Sequence, residues 1–82
     1  MQRSSIALYP WASQDIDLRV GGNIQKLRKQ KGITQDQLAE FSGLNRAHLY
    51  RLESGRQSMT LRTLKIIADA LGVRPTQLLK GF

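Results

Sequence analysis

Cysteine is absent from the 82-residue chain, which excludes a disulfide framework and any thiolate metal site. Long apolar runs are absent too. None approaches the roughly 18 residues of a membrane span, and the N-terminus lacks the apolar stretch of a secretory signal. Histidine occurs once, at His48, with no Cys, His or carboxylate at ligand spacing, so no metal site and no nucleophile–base set is expected. No repeat, low-complexity tract or β-type alternation is visible. These absences leave a cytoplasmic binding protein, not an enzyme, with no cofactor and no metal. Acidic residues are also scarce, at six against thirteen Lys and Arg, for a net charge of +7. Arg3 and Arg19 balance Asp15 and Asp17, so the excess lies beyond residue 22 and suits a polyanionic partner such as nucleic acid. With 40% apolar residues the chain can fill one small core, and its length is that of one domain.

Residues 1–16 show no helical period and read as an N-terminal arm, with Tyr9 and Trp11 either packing on the domain or reaching DNA or a second subunit. Residues 17–82 read as five short helices. The first opens with Asp17 as its cap, or at Asn23 if the weakening pair Gly21-Gly22 delays it, and carries Val20, Ile24, Leu27 and Lys31 on one face up to Gly32. The second opens at Thr34 and buries Leu38, Ala39 and Ser42. Gly43 supplies the turn, Leu44 returns to the core, and Asn45 caps a third helix that buries Leu49 and Leu52. The fourth opens at Thr60 with Leu61, Leu64, Ile67, Ala68 and Leu71 as its stripe, and Pro75 starts a short fifth. Ile66, Ala70, Leu79 and Phe82 are left to cover the fifth helix or a second subunit.

A small residue at the helix crossing (Ala39), a glycine turn four positions later (Gly43) and apolar anchors on the next helix (Leu44, Leu49, Leu52) are what a helix-turn-helix requires. The outer face of its second helix is then free to enter a major groove. That face has Ala47 at its centre, Tyr50 and Ser54 on one flank, Arg51 on the other and Arg46 at the margin. A guanidinium fork matches guanine O6 and N7, so Arg46 and Arg51 are candidate guanine readers, with a phosphate contact as the alternative. Ala47 leaves room for a thymine methyl, and Tyr50 can donate to phosphate or pack on the second helix. Asn45, Arg56, Gln57 and Ser58 are candidate backbone contacts, joined by amides near Thr60. Lys26 and Lys29 reach either peripheral phosphate or solvent. Asp36, Glu40 and Asp69 read as solvated helix-surface carboxylates.

The segments LRKQKGITQDQLAE, YRLESG, LKIIADALGV and the terminal LLKG, in this order and spacing, resemble the lambda repressor and Cro class of helix-turn-helix proteins, the Xre family. The resemblance covers residues 18–82. It implies an all-α, five-helix repressor-type domain that binds double-stranded operator DNA, mostly as a two-fold homodimer on an inverted repeat. By the same resemblance Gln35 contacts a phosphate and braces the recognition helix. Arg46, Ala47 and Arg51 occupy base-facing positions, and Tyr50 is a base or backbone neighbour. Arg28 and Glu53 form a structural ion pair between the first and third helices. Arg74 stands where the family often has a capping serine or aspartate, so the last helix is expected to fray. The expected function is a DNA-binding transcriptional regulator acting as a repressor on the nucleoid, with no small-molecule ligand. The alternative is a protein-interaction module, such as an antitoxin subunit with a toxin or other protein partner.

Overall fold

The computed structural model describes residues 15–82, all of its regular structure helical. Residues 1–14 of the expected arm, with Tyr9 and Trp11, lie outside the described residues, while Asp15 and Ile16 belong to the start of the first helix. Among the described residues four α-helices, α1 (Ile16–Gln30), α2 (Gln35–Ser42), α3 (Arg46–Glu53) and α4 (Leu61–Leu71), precede a 3-10 helix at Pro75–Leu79.

The first helix begins earlier than its periodicity suggests. Asp15, not Asp17, is the cap, its carboxylate accepting from the backbone N–H groups of Asp17 and Leu18. Lys31 caps the other end and is exposed, so it does not continue the buried face. The interior of that face is completed by Arg28, only 7% exposed.

Thr34 caps α2 in a reciprocal arrangement. Its hydroxyl accepts from the Gln37 N–H at 3.1 Å, and the Gln37 amide oxygen accepts from the Thr34 N–H at 2.9 Å. Gly43 ends α2 with φ 75°, a left-handed conformation that costs glycine no side-chain clash. The Ser42 hydroxyl braces the turn, donating to Leu38 O at 2.7 Å and accepting from the Leu44 N–H at 3.3 Å. Asn45 then caps α3 by accepting from the N–H groups of Ala47 and His48. The turn therefore holds α3 at both ends of its entry.

One core joins all five elements: Val20 and Ile24 from α1, Leu38 and Ala39 from α2, Leu49 and Leu52 from α3, Leu64, Ile67, Ala68 and Leu71 from α4, and Leu78. Gly21 is what lets α1 and α3 meet. A Cβ there would strike the backbone oxygen of Leu52 and stand 2.7 Å from that of Glu53, so the glycine pair that looks like a weakness in a helix is half of a close crossing.

Two further expectations are corrected. Leu61 is 83% exposed; it sits on the first turn of α4 at the rim of an apolar groove with Ile16, Met59 and Leu79, and no described element covers it. The fifth element is a 3-10 helix of five residues, with no side-chain cap from Arg74. The Gln77 amide oxygen instead accepts from the Arg74 N–H at 3.0 Å, and Asn23 of α1 pins the element by donating to both Leu78 O and Lys80 O at 2.9 Å. Ala70 packs against the core, whereas Leu79 and Phe82 stay partly exposed at 39% and 47%.

Candidate nucleic-acid interface

The rigidity of the interface starts in the core beneath it. Arg28 and Glu53 form a two-pronged pair, Nε to Oε2 at 2.8 Å and Nη2 to Oε1 at 3.0 Å. Their side chains are only 9% and 2% exposed. The third arm of Arg28, Nη1, donates to Ile33 O at 2.9 Å. Glu53 Oε1 also accepts from Gln35 Nε2 at 3.0 Å. One carboxylate thus ties the end of α3 to α1 and to the start of α2, so the two helices of the motif share a fixed angle. Among the described residues no buried side-chain polar atom lacks a partner, the condition under which a buried charge pair is tolerated.

On the outer side, Gln35, Arg46, Ala47, Tyr50, Arg51 and Arg56 line one open recess. Arg46, Ala47, Tyr50 and Arg51 come from α3, all exposed. Arg56 arrives from the following loop, its guanidinium carbon 6.0 Å from the centre of the Tyr50 ring, within cation–π reach. Gln35 joins them from α2, with one N–H of its Nε2 already donating to Glu53. Arg46, Arg51 and Arg56 give the recess a positive edge, and Lys29 lines the adjoining hollow with Thr34, Asp36 and Arg46. Lys26 lies elsewhere, beside Asn23, Gln77 and Lys80. The two lysines, equivalent in the sequence, therefore face different surroundings.

The structure does not bring every candidate together. Asn45 spends its side-chain oxygen on the α3 cap. The Gln57 amide oxygen accepts from Arg51 Nε at 2.9 Å, so Gln57 reaches the recess through an arginine. Ser58 is elsewhere, donating to the Asp17 carboxylate at 2.6 Å near the entry to α4. The Thr60 hydroxyl caps α4 by accepting from the Thr63 N–H. His48 is half-buried, and among the described residues no group of three or more His, Cys, Asp or Glu stands close enough to hold a metal.

Asp36 and Asp69 are exposed on helix surfaces, as expected, and each also has a cationic partner. Asp69 pairs with Lys65 one turn away on α4, at 2.8 Å. Asp36 pairs with Arg46 across the motif, at 3.0 Å. That second pair joins residues ten positions apart on different helices, a contact with no local signature in the sequence.

The chain matches the helix-turn-helix family over residues 24–78, most of its length. It belongs to this family. A relative, an uncharacterized HTH-type transcriptional regulator of Sinorhizobium fredii, is 42% identical over 65 residues, 77% of this chain and 84% of the relative. The immunity repressor protein of Bacillus phage phi105 is 40% identical over 57 residues; the match takes in 70% of this chain but only 40% of the repressor. Among solved structures, the restriction-modification controller protein C.AhdI of Aeromonas hydrophila superposes with a TM-score of 0.73 at 33% identity, covering 74% of this chain and 92% of the controller. The fold is thus the lambda-repressor-like one, and the family is one of DNA-binding transcriptional regulators, not of enzymes. No helix among the described residues is long and apolar enough to cross a membrane.

Proposed function

We propose that the chain is a sequence-specific repressor that binds an inverted-repeat operator as a homodimer, each copy laying the outer face of α3 in a major groove. The observation that carries this reading is the recess itself. Arg46, Ala47, Tyr50 and Arg51 of α3 share one exposed surface with Arg56 from the loop after it, and the other side of α3 is locked into the core. Arg46 and Arg51 contact guanine, Ala47 faces a thymine methyl, and Tyr50 contacts base or backbone. Arg56 binds phosphate beside Tyr50. Gln35 donates the second N–H of its Nε2 to phosphate, and Asn45 and Gln57 border the same backbone. Ser58, engaged by Asp17, sits at the margin. Acting on DNA places the protein in the cytoplasm, on the nucleoid.

The dimer is supported by the apolar side chains left uncovered at Leu61, Leu79 and Phe82, and the repressor role by a relative named as a phage immunity repressor. A two-fold pair of recognition helices reads half-sites whose centres lie about one helical turn, 10–10.5 base pairs, apart. Selection from a random duplex pool, combined with sedimentation of the protein–DNA complex, tests this. The reading requires a palindromic motif and two chains per site. A single unrepeated motif bound by one chain removes the dimer, and enrichment of no motif removes sequence-specific binding.

A further inference from the structure

Arg46 and Arg51 each have an oxygen beside Nε, an ion-pair contact for Arg46 and a hydrogen bond for Arg51. The Arg46 Nε stands 3.0 Å from Asp36 Oδ1, and the Arg51 Nε donates to Gln57 Oε1 at 2.9 Å. Among the described residues neither arginine hydrogen-bonds through its two terminal nitrogens. Those are the atoms that meet guanine O6 and N7 end-on. We propose that Asp36 is a specificity-determining positioning residue, which fixes the Arg46 guanidinium through Nε so that its terminal nitrogens address a guanine and not a phosphate. The inference rests on the base-reading role of α3.

Two physical effects act in the same direction. An arginine free to rotate loses many rotamers when it docks, and the nearest strong acceptors along a groove wall are phosphates. A partner that already holds the fork removes part of that loss. The Asp36 carboxylate also neutralises the arginine locally and repels a phosphate that approaches it. The side chains of Arg46 and Asp36 are 67% and 68% exposed, so water screens the pair in the free protein. It strengthens where DNA displaces that water. Asp36 thereby gives up some affinity for arbitrary DNA in exchange for discrimination. Gln57 does the corresponding work for Arg51 without a charge.

Selection from a random duplex pool with wild type, Asp36→Ala, Asp36→Glu and Glu40→Ala tests the proposal, with binding of the selected and of unrelated duplexes measured across salt concentrations. Glu40 lies on the same helix, exposed and outside the described ion pairs, so its removal controls for charge alone. Asp36→Ala is expected to lower the preference for guanine at one position of each half-site by about tenfold. It is also expected to steepen the salt dependence on unrelated DNA by up to about one unit of slope, as Arg46 turns to phosphate. Asp36→Glu should restore most of the preference. In an Arg46→Ala background, Asp36→Ala should change base preference no further. Tighter binding to all sequences with unchanged preference, as for Glu40→Ala, would make Asp36 a bulk charge and overturn the proposal. If wild type selects guanine and Asp36→Ala selects it equally, only this inference falls. If wild type enriches no motif, the reading of α3 falls and this inference with it. Circular-dichroism melting of each variant confirms that the fold is kept.

Discussion

Replacing Glu53 with alanine removes the one carboxylate that α1, α2 and α3 share. In the variant Arg28 keeps only its bond to Ile33 O; its Nε and Nη2 lose their acceptor, as does Gln35 Nε2. Arg28 cannot turn to water, since its side chain is 9% exposed. Removing one partner of such a buried pair costs about 3–5 kcal/mol. A domain of this size has a total stability of roughly 4–12 kcal/mol, so the loss is a large share of it. At about 4–8 °C per kcal/mol, the Tm should fall by at least about 12 °C. Thermal and urea unfolding followed by circular dichroism at 222 nm, the far-ultraviolet helix band, measure both quantities. The double variant Arg28→Met/Glu53→Leu supplies the sharper test. Replacing both charges with apolar side chains of similar volume is often neutral or stabilising, so the double variant should be more stable than Glu53→Ala. A loss below about 1 kcal/mol for Glu53→Ala is the value of a solvated surface pair and would refute the argument that this one is buried and structural.

The same unfolding assays check three further expectations. Gly21→Ala should destabilise by about 1–3 kcal/mol or more, because the obstacle is the Leu52 and Glu53 backbone and not a side chain that can turn aside. Asn23→Ala strips two carbonyls of their donor and should cost about 1–2 kcal/mol, with hydrogen exchange speeding up first around the 3-10 helix. Lys65→Ala breaks an exposed pair on α4 and should change stability by no more than about 1 kcal/mol.

The elements that were legible in the sequence are those set by neighbours along the chain. Thr34, Asn45 and Thr60 cap within three residues of themselves, and Gly43 and Gly72 end helices where the backbone turns left-handed. The recess on α3 was legible for the same reason, since helical period alone places Arg46, Ala47, Tyr50 and Arg51 on one side. What escaped was set across space. Asp15 and Asp17 are both able to cap, and only the path of the chain into α1 chooses between them. Gly21 looks destabilising until α3 is seen against it. Asn23 and Asp36 meet partners 55 and ten positions away, and nothing local marks either. Ser58 and Gln57 are adjacent polar loop residues, yet one turns to α1 and the other to Arg51. Leu61 fits the period of α4 but lies one turn before the core begins.

The central claim is that the outer face of α3 reads bases, and the most direct test compares DNA selected from a random pool by wild type, Arg46→Ala and Arg51→Ala. Wild type is expected to enrich a palindrome with guanine in each half-site. Each variant should lose preference at a single, different position, by roughly 5–150-fold, while binding unrelated DNA nearly as before. Uniform weakening on every sequence, with the wild-type preference retained in both variants, would show the arginines to be phosphate contacts and contradict the claim.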